Sequence, residues 1–344
     1  MFHFLVLSQT MKKEDIIAIE NILATPKKIA IIPHRSPDGD AMGSTLALYN
    51  FLLKLNHQPV VIAPNDFPDF LAWLPSSEIV LIYENDKENC TKILKEAELV
   101  FTLDFNALHR TGEMEQVLNK LSVPMIMIDH HQKPNTYATI TYSDTGIGST
   151  CEMIYNLISF LDKKEMIDKT IATCIYTGIL TDSGSFRFPL TSSTTHRIVA
   201  ELIEKGVENS NIYNLLFDNN SYSSLQLLGR ALQNMKFLPE YKTAFITLSQ
   251  NELDTFHYKK GDTEGIVNYG LTIKGIHFAA IFIEHKEENI IKISFRSQGS
   301  FDVNQFAREH FSGGGHVNAA GGKSYESMKA TITKFEDLIS KITI

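Results

Sequence analysis

Four short clusters between residues 34 and 182 carry side chains able to bind a cation and act on an anion. They are His34-Arg35-Ser36-Pro37-Asp38-Gly39-Asp40, then Asp104, then Asp129-His130-His131, then Asp182. Carboxylates mixed with imidazoles, and no thiolate among them, suit Mn²⁺, Mg²⁺ or Co²⁺ better than structural zinc. There are more donors than one catalytic ion needs. They fit two divalent ions about 3.5–4 Å apart that share a carboxylate, a pair that activates water and neutralises a phosphate under in-line attack. Taken singly, an Asp after a strand is commonly a turn or helix cap, and a His-His pair is commonly surface or core. Four such clusters falling in that one stretch of the chain argue for the metal site.

These groups sit where the elements should deliver them. Residues 28–33 predict a buried strand, 42–55 a helix and 59–63 a second strand, a β-loop-α-β unit that implies a parallel sheet. The runs 99–103 and 124–128 are continuously apolar, as strands covered on both faces are. Helical patterns occupy 12–24, 148–161, 165–180 and 194–205. His34–Asp40, Asp104 and Asp129–His131 therefore follow strand ends, and ligands of open parallel sheets bind beyond those ends. Three of the four clusters are expected to converge on one crevice, with Asp182 closing a helix.

The pattern changes near Gly206, a helix stop. The expected organisation is a catalytic domain over 1–205, a linker with a helix over 206–236, and a smaller α/β domain over 237–344. Strands at 243–248, 276–284 and 290–296 and helices at 222–236, 302–311 and 325–342 build the later parts. Between them lies Ser312-Gly313-Gly314-Gly315-His316, read as a turn whose glycines let backbone N–H groups approach an anion. With His316, Asn318 and Arg296, it forms a candidate substrate-binding set: Arg296, Gly314, Gly315, His316 and Asn318. Arg296 is best placed to fork onto a phosphate. Arg110 is a further guanidinium candidate. Trp73, Phe186 and Phe188 read as packing residues.

A chain of 344 residues suits two cores rather than one. The net charge of −8 argues against a long duplex nucleic acid as partner, since such proteins carry a basic face. Cys90, Cys151 and Cys174 have neither zinc-ribbon nor disulfide spacing, and reduced thiols point to the cytoplasm. Residues 1–10 read as an extension or edge strand rather than a signal peptide. No apolar run is long enough for a membrane span.

The ordered motifs HRSPDGDAMGS, TLDF, IDHHQKP and TDSGSFRF resemble the signatures of the DHH phosphoesterase superfamily. The later SFRSQGSFDVNQFAREHFSGGGHVNAAGG resembles the DHHA1 substrate domain. Size and spacing look most like the NrnA type, nanoRNases that also dephosphorylate 3′-phosphoadenosine 5′-phosphate. The resemblance implies His34, Asp38 and Asp104 on one metal, with Asp40, Asp104, His130 and Asp182 on the other. It implies that Asp104 bridges, that His131 approaches the leaving oxygen, and that Asp129 orients His130 or His131. Ser183 and Arg35 depart mildly from the pattern and are expected to touch no ligand. The implied activity is hydrolysis of short oligoribonucleotides and phosphorylated nucleotides with Mn²⁺, the second domain closing over the crevice. Rival readings are a pyrophosphatase or exopolyphosphatase, a single-strand exonuclease, and a nucleotide-sensing binding protein. A homodimer through an exposed strand edge is compatible with the sequence.

Overall fold

A computed structural model describes residues 11–342. The reading of residues 1–10 as an extension or edge strand falls outside them. The chain divides into two compact units, Met1–Asp218 and Asn219–Ile344.

The first unit begins with α1 (Lys13–Ile22), β1 (Lys28–Ile32), α2 (Gly39–Lys54), β2 (Gln58–Ala63) and β3 (Leu81–Ile82). It continues through α3 (Lys87–Glu96), β4 (Leu99–Leu103), α4 (Glu115–Leu118), β5 (Met125–Asp129) and β6 (Ile140–Ser143). Four helices complete it: α5 (Thr150–Phe160), α6 (Lys169–Asp182), α7 (Ser193–Glu204) and α8 (Asn209–Phe217). The six strands form one parallel sheet in the order β3-β2-β1-β4-β5-β6. Strands β4 and β5 are buried along their whole length, which explains their unbroken apolar runs. Alternate residues of β1 enter different cores. Ile29 and Ile31 join the layer containing α2, α5 and α6, whereas Ala30 and Ile32 join the layer of α3. The strand order reverses between the neighbours β1 and β4. Their following segments leave in different directions, and a crevice opens at their carboxyl ends.

Helix α2 starts three residues earlier than its apolar pattern suggested. Asp38 is the reason: its Oδ1 accepts from the amides of Asp40 and Ala41 at 3.1 Å each, an N-cap that pulls Gly39 and Asp40 into the first turn. The crossing of α2 with α6 is tight. A Cβ on Gly43 would lie 2.6 Å from the Cys174 carbonyl oxygen, and one on Gly178 would lie 2.2 Å from Cys151 Sγ. Only glycine permits that approach, and it brings the head of α2 beside α5 and α6.

The second unit comprises α9 (Tyr222–Gln233), β7 (Lys236–Leu238), β8 (Thr243–Leu248), α10 (Gln250–Thr255), α11 (Asn268–Leu271) and β9 (Phe278–His285). After these come β10 (Ile290–Ser297), α12 (Val303–His310), β11 (Gly314–His316), β12 (Ala319–Ser324) and α13 (Met328–Ile339). Its mixed sheet runs β11-β12-β10-β9-β8-β7, with only β8 and β9 parallel. Phe278, Phe282, Phe295, Phe306 and Phe335 pack one face against α12 and α13. Helices α9 and α10 cover the other. The glycine run expected as a turn is instead the strand β11 and its hairpin partner β12. Short strands β3, β6 and β7 carry too little periodicity to read from sequence.

Among the described residues, no helix is long and apolar enough to cross a membrane.

Candidate metal centre

All four clusters meet beyond the carboxyl ends of β1, β4 and β5. His34, Asp40, Asp104, His130 and His131 are buried, Asp182 is half-buried and Asp38 is exposed. His34 Nε2 lies 3.8 Å from Asp38 Oδ2 and 3.5 Å from Asp104 Oδ2. On the other side, His130 Nε2 lies 3.7 Å from Asp40 Oδ2, 3.4 Å from Asp104 Oδ1 and 3.3 Å from Asp182 Oδ2. The two oxygens of Asp104 thus face two different imidazoles. Asp104 holds this position with φ of +66°, a left-handed conformation that few residues other than glycine, asparagine and aspartate adopt. Its amide bonds to the Ile128 carbonyl at 3.0 Å, which anchors the turn to β5.

The donor set fits divalent cations. Ligand atoms about 2.1 Å from one ion and near right or tetrahedral angles stand about 3.0–3.4 Å apart. The separations in the structure, 3.3–3.8 Å, fall at or just beyond that range and are wider than ordinary hydrogen bonds. Each imidazole is also turned correctly. His34 Nδ1 pairs with the Arg35 carbonyl at 2.8 Å and His130 Nδ1 with the Ile147 carbonyl at 3.2 Å, so both direct Nε2 inward. His34, Asp38 and Asp104 form one group able to hold a metal ion, and Asp40, His130 and Asp182 form another.

The electrostatics show the same need for positive charge. Burial, reinforced by Asp104, pushes the Asp40 carboxyl up to about 7. Burial and the charges of Asp40 and Asp38 raise Asp182 well above the usual carboxylate range. Burial opposes the charge on Asp104 too, yet His130 and His34 facing it hold its carboxyl well below that range. Desolvation works against charge on His34 and His130, but Asp104 overrides it and raises both, His130 strongly. Without cations, the cluster must therefore retain protons that cations would displace.

His131 borders these groups, its Nδ1 3.7 Å from Asp104 Oδ1, and with Asp104 and Asp129 it forms a further group able to hold a metal ion. Its Nδ1 meets Asp129 Oδ1 at 2.7 Å, so Asp129 orients His131, while His130 is oriented by a backbone carbonyl. Arg35 touches a candidate ligand after all, but only through its carbonyl, which any residue type supplies. Arg110 is half-buried, and its charge acts against protonation of His34.

Residues 28–179 match the DHH family, N-terminal domain, and residues 243–342 match the DHHA1 domain. A Thermus thermophilus protein named bifunctional oligoribonuclease and PAP phosphatase NrnA is 32% identical over 89% of this chain and 86% of its own length. The chain belongs to the DHH family. A Bacillus subtilis protein of the same name is 29% identical over 86% of this chain and 89% of its own. A crystal structure of an exopolyphosphatase-related protein from Bacteroides fragilis is 40% identical, covers 97% of this chain and 98% of its own, and superposes with a TM-score of 0.93.

In this DHH-family chain, sequence reasoning missed several contributors. Ser149 caps α5, and the next two amides reach back to Asp40: Thr150 N to Oδ2 at 2.6 Å and Cys151 N to Oδ1 at 2.8 Å. Thr150 Oγ1 donates to Asp104 Oδ1 at 2.9 Å. Ser149-Thr150-Cys151-Glu152 does read as a helix start, but nothing local says what that start faces. Asn65 Oδ1 accepts from Ser36 N at 2.6 Å and shapes the loop after β1.

The DHHA1 residues are differently disposed from the expectation. The amides of Gly313 and Gly315 are engaged by the Ala307 carbonyl at 3.1 Å and Asn304 Oδ1 at 2.9 Å, so they do not form an open anion cradle. Their glycines answer a packing need instead: a Cβ on Gly313 would sit 1.9 Å from the Gly321 carbonyl oxygen. Asn318 Nδ2 donates to Ser297 Oγ and the Gly299 carbonyl, tying the hairpin to the end of β10. Arg296 is half-buried on the face of β10 opposite the phenylalanine core, and its Nη1 donates to the Phe295 carbonyl at 3.0 Å. Arg308, absent from the sequence candidates, lies against Gly314. Trp73 and Phe186 pack on the first core, as expected of them. Phe188 is more exposed, with the Arg187 guanidinium over its ring.

Proposed function

We propose that this protein is a phosphoesterase that uses two divalent cations, Mn²⁺ foremost, to hydrolyse short oligoribonucleotides to mononucleotides and 3′-phosphoadenosine 5′-phosphate to AMP. The observation that carries the reading is Asp104, whose two oxygens face the imidazoles of two separate donor groups. His34, Asp38 and Asp104 would hold one cation, and Asp40, Asp104, His130 and Asp182 the other. When bound, the pair would supply an acidified water and positive charge against the phosphate.

The chain's own residues do the rest. The carbonyls of Arg35 and Ile147 hold His34 and His130 with Nε2 inward. Asp129 fixes His131 through Nδ1, which leaves Nε2 to pass a proton to the departing oxygen. In the second unit Arg296, Gly314, His316 and Asn318 are the candidates for binding the remainder of the nucleotide, whereas the Gly315 amide is already taken by Asn304; Arg110 is the guanidinium candidate of the first unit. The relatives named NrnA support this substrate class, and the net charge of −8 supports short substrates over long ones. Three free cysteines support a cytoplasmic setting.

The relative described as exopolyphosphatase-related favours a second reading, a phosphoanhydride substrate on the same metal centre. Products formed with Mn²⁺ from a labelled dinucleotide, a long single strand, 3′-phosphoadenosine 5′-phosphate, pyrophosphate and polyphosphate decide between them. Mononucleotide and AMP formation supports the first reading. Turnover of the anhydrides alone supports the second.

A further inference from the structure

We propose that Thr150 is a positioning residue for this centre, its hydroxyl aiming the shared carboxylate of Asp104 while the head of α5 fixes Asp40. The inference rests on the two-cation reading above and names the residue that couples its two halves.

Thr150 is fully buried and contacts carboxylates 46 and 110 positions away in sequence. Its hydroxyl is available for this because of where it stands. Ser149 already caps α5, its Oγ accepting from Glu152 N at 3.1 Å. A threonine inside a helix ordinarily returns its hydroxyl to a carbonyl one turn back. Thr45, Thr177 and Thr181 do so here, at 2.9, 2.9 and 3.1 Å. Thr150 is the first residue of α5 and has no preceding helical turn, so its proton goes to Asp104 Oδ1 at 2.9 Å.

That oxygen is the one facing His130 Nε2. A donor on that oxygen occupies one of its lone pairs and leaves the other for a cation held with His130. The amides of Thr150 and Cys151 meanwhile take one oxygen of Asp40 each, an anion seated at the positive end of an 11-residue helix. One residue thereby sets the relative orientation of a ligand from the end of β4 and a ligand from α2.

The test uses the full chain as Thr150→Val, which keeps the shape and the backbone amide, and as Thr150→Ser, which keeps the hydroxyl. Mn²⁺ titration calorimetry and electron paramagnetic resonance of the loaded proteins are the readouts, with circular dichroism in EDTA as the fold control. Thr150→Val should bind Mn²⁺ about 10–100-fold more weakly at its weaker step, as loss of groups that orient ligands does. It should also exchange the multiline spectrum of coupled ions for the six-line spectrum of isolated ones. Thr150→Ser should restore both.

Wild-type affinities and a coupled spectrum in Thr150→Val would overturn the proposal. So would a Thr150→Ser protein as impaired as Thr150→Val, since that assigns the effect to the methyl group. If Thr150→Val does not fold, Thr150→Ala is judged by the same criteria. A wild-type chain that binds no pair of Mn²⁺ ions overturns the metal reading itself, a result distinct from a hydroxyl without effect.

Discussion

Replacing Gly178 by Ala probes how the helices position the ligands without replacing a ligand. The new Cβ would lie 2.2 Å from Cys151 Sγ and 2.6 Å from Asp40 Oδ1. Ordinary contact begins at 3.4 Å, so the sulfur must retreat by 3.4 − 2.2 = 1.2 Å and the carboxylate by 3.4 − 2.6 = 0.8 Å. Neither has room. Cys151 is fully buried, and both Asp40 oxygens are held by amides at the head of α5. Overpacking of this kind costs about 1–3 kcal/mol. For a unit of this size, about 2–4 °C per kcal/mol, the melting temperature should fall by about 2–12 °C. Because part of the relief must come from Asp40, Mn²⁺ affinity should fall as well. Thermal melts in EDTA and Mn²⁺ titrations of the folded protein measure the two effects separately. Adding Cys151→Ala removes the nearest obstacle and should recover part of the stability, while the Asp40 contact keeps metal binding weak. An unchanged melting temperature together with unchanged Mn²⁺ binding would refute this account of the α2–α6 crossing.

Asp104→Ala should abolish turnover and binding of both ions, since its oxygens face both donor groups; metal analysis and activity assays check this, and EDTA should inactivate the wild type until Mn²⁺ is restored. His130→Ala should lose metal, whereas His131→Ala should keep it and lose about 10²–10³-fold in rate, as removal of a transition-state donor does; equal metal loss in the two would show the pair misassigned. Mn²⁺ affinity should rise with pH through neutrality, because the raised protons on His34, His130, Asp182 and Asp40, the last near 7, compete with the cation below it. Calorimetry in buffers of different ionisation enthalpy should detect proton release on binding at pH 6 and less at pH 8, and a pH-independent affinity would count against the protonation pattern. Arg296→Ala should keep its metal and raise KM for dinucleotides while sparing bis-p-nitrophenyl phosphate, and wild-type activity on dinucleotides should exceed that on a strand of about 24 nucleotides and depend only weakly on salt.

How much of this was legible in the sequence depends on the range of the physics involved. Strands β1, β4 and β5 announce themselves as apolar runs because each is covered on both faces, and the side-chain types after them already name the chemistry. The identity of the donors, the parallel sheet and the placement of three clusters at strand ends are all local or nearly local facts. Local signals also mislead where a short polar contact outweighs periodicity. The Asp38 cap moves the start of α2 to Gly39 and carries Asp40 into the helix and the core. The glycines at 313–315 look like an anion loop, yet the backbone of β12 passes so close that they serve a hairpin.

What only the tertiary structure decided is which donors share a cation-sized space and what aims them. Asp129 could have oriented either histidine, and the 2.7 Å contact assigns it to His131. Thr150 was invisible, since its partners lie far away in sequence and its role follows from Ser149 having taken the cap. Residue type and spacing set the propensity of each segment. The order β1-β4-β5 and the glycine-lined crossing of α2 with α6 set the distances, because those depend on how segments far apart in the chain pack together.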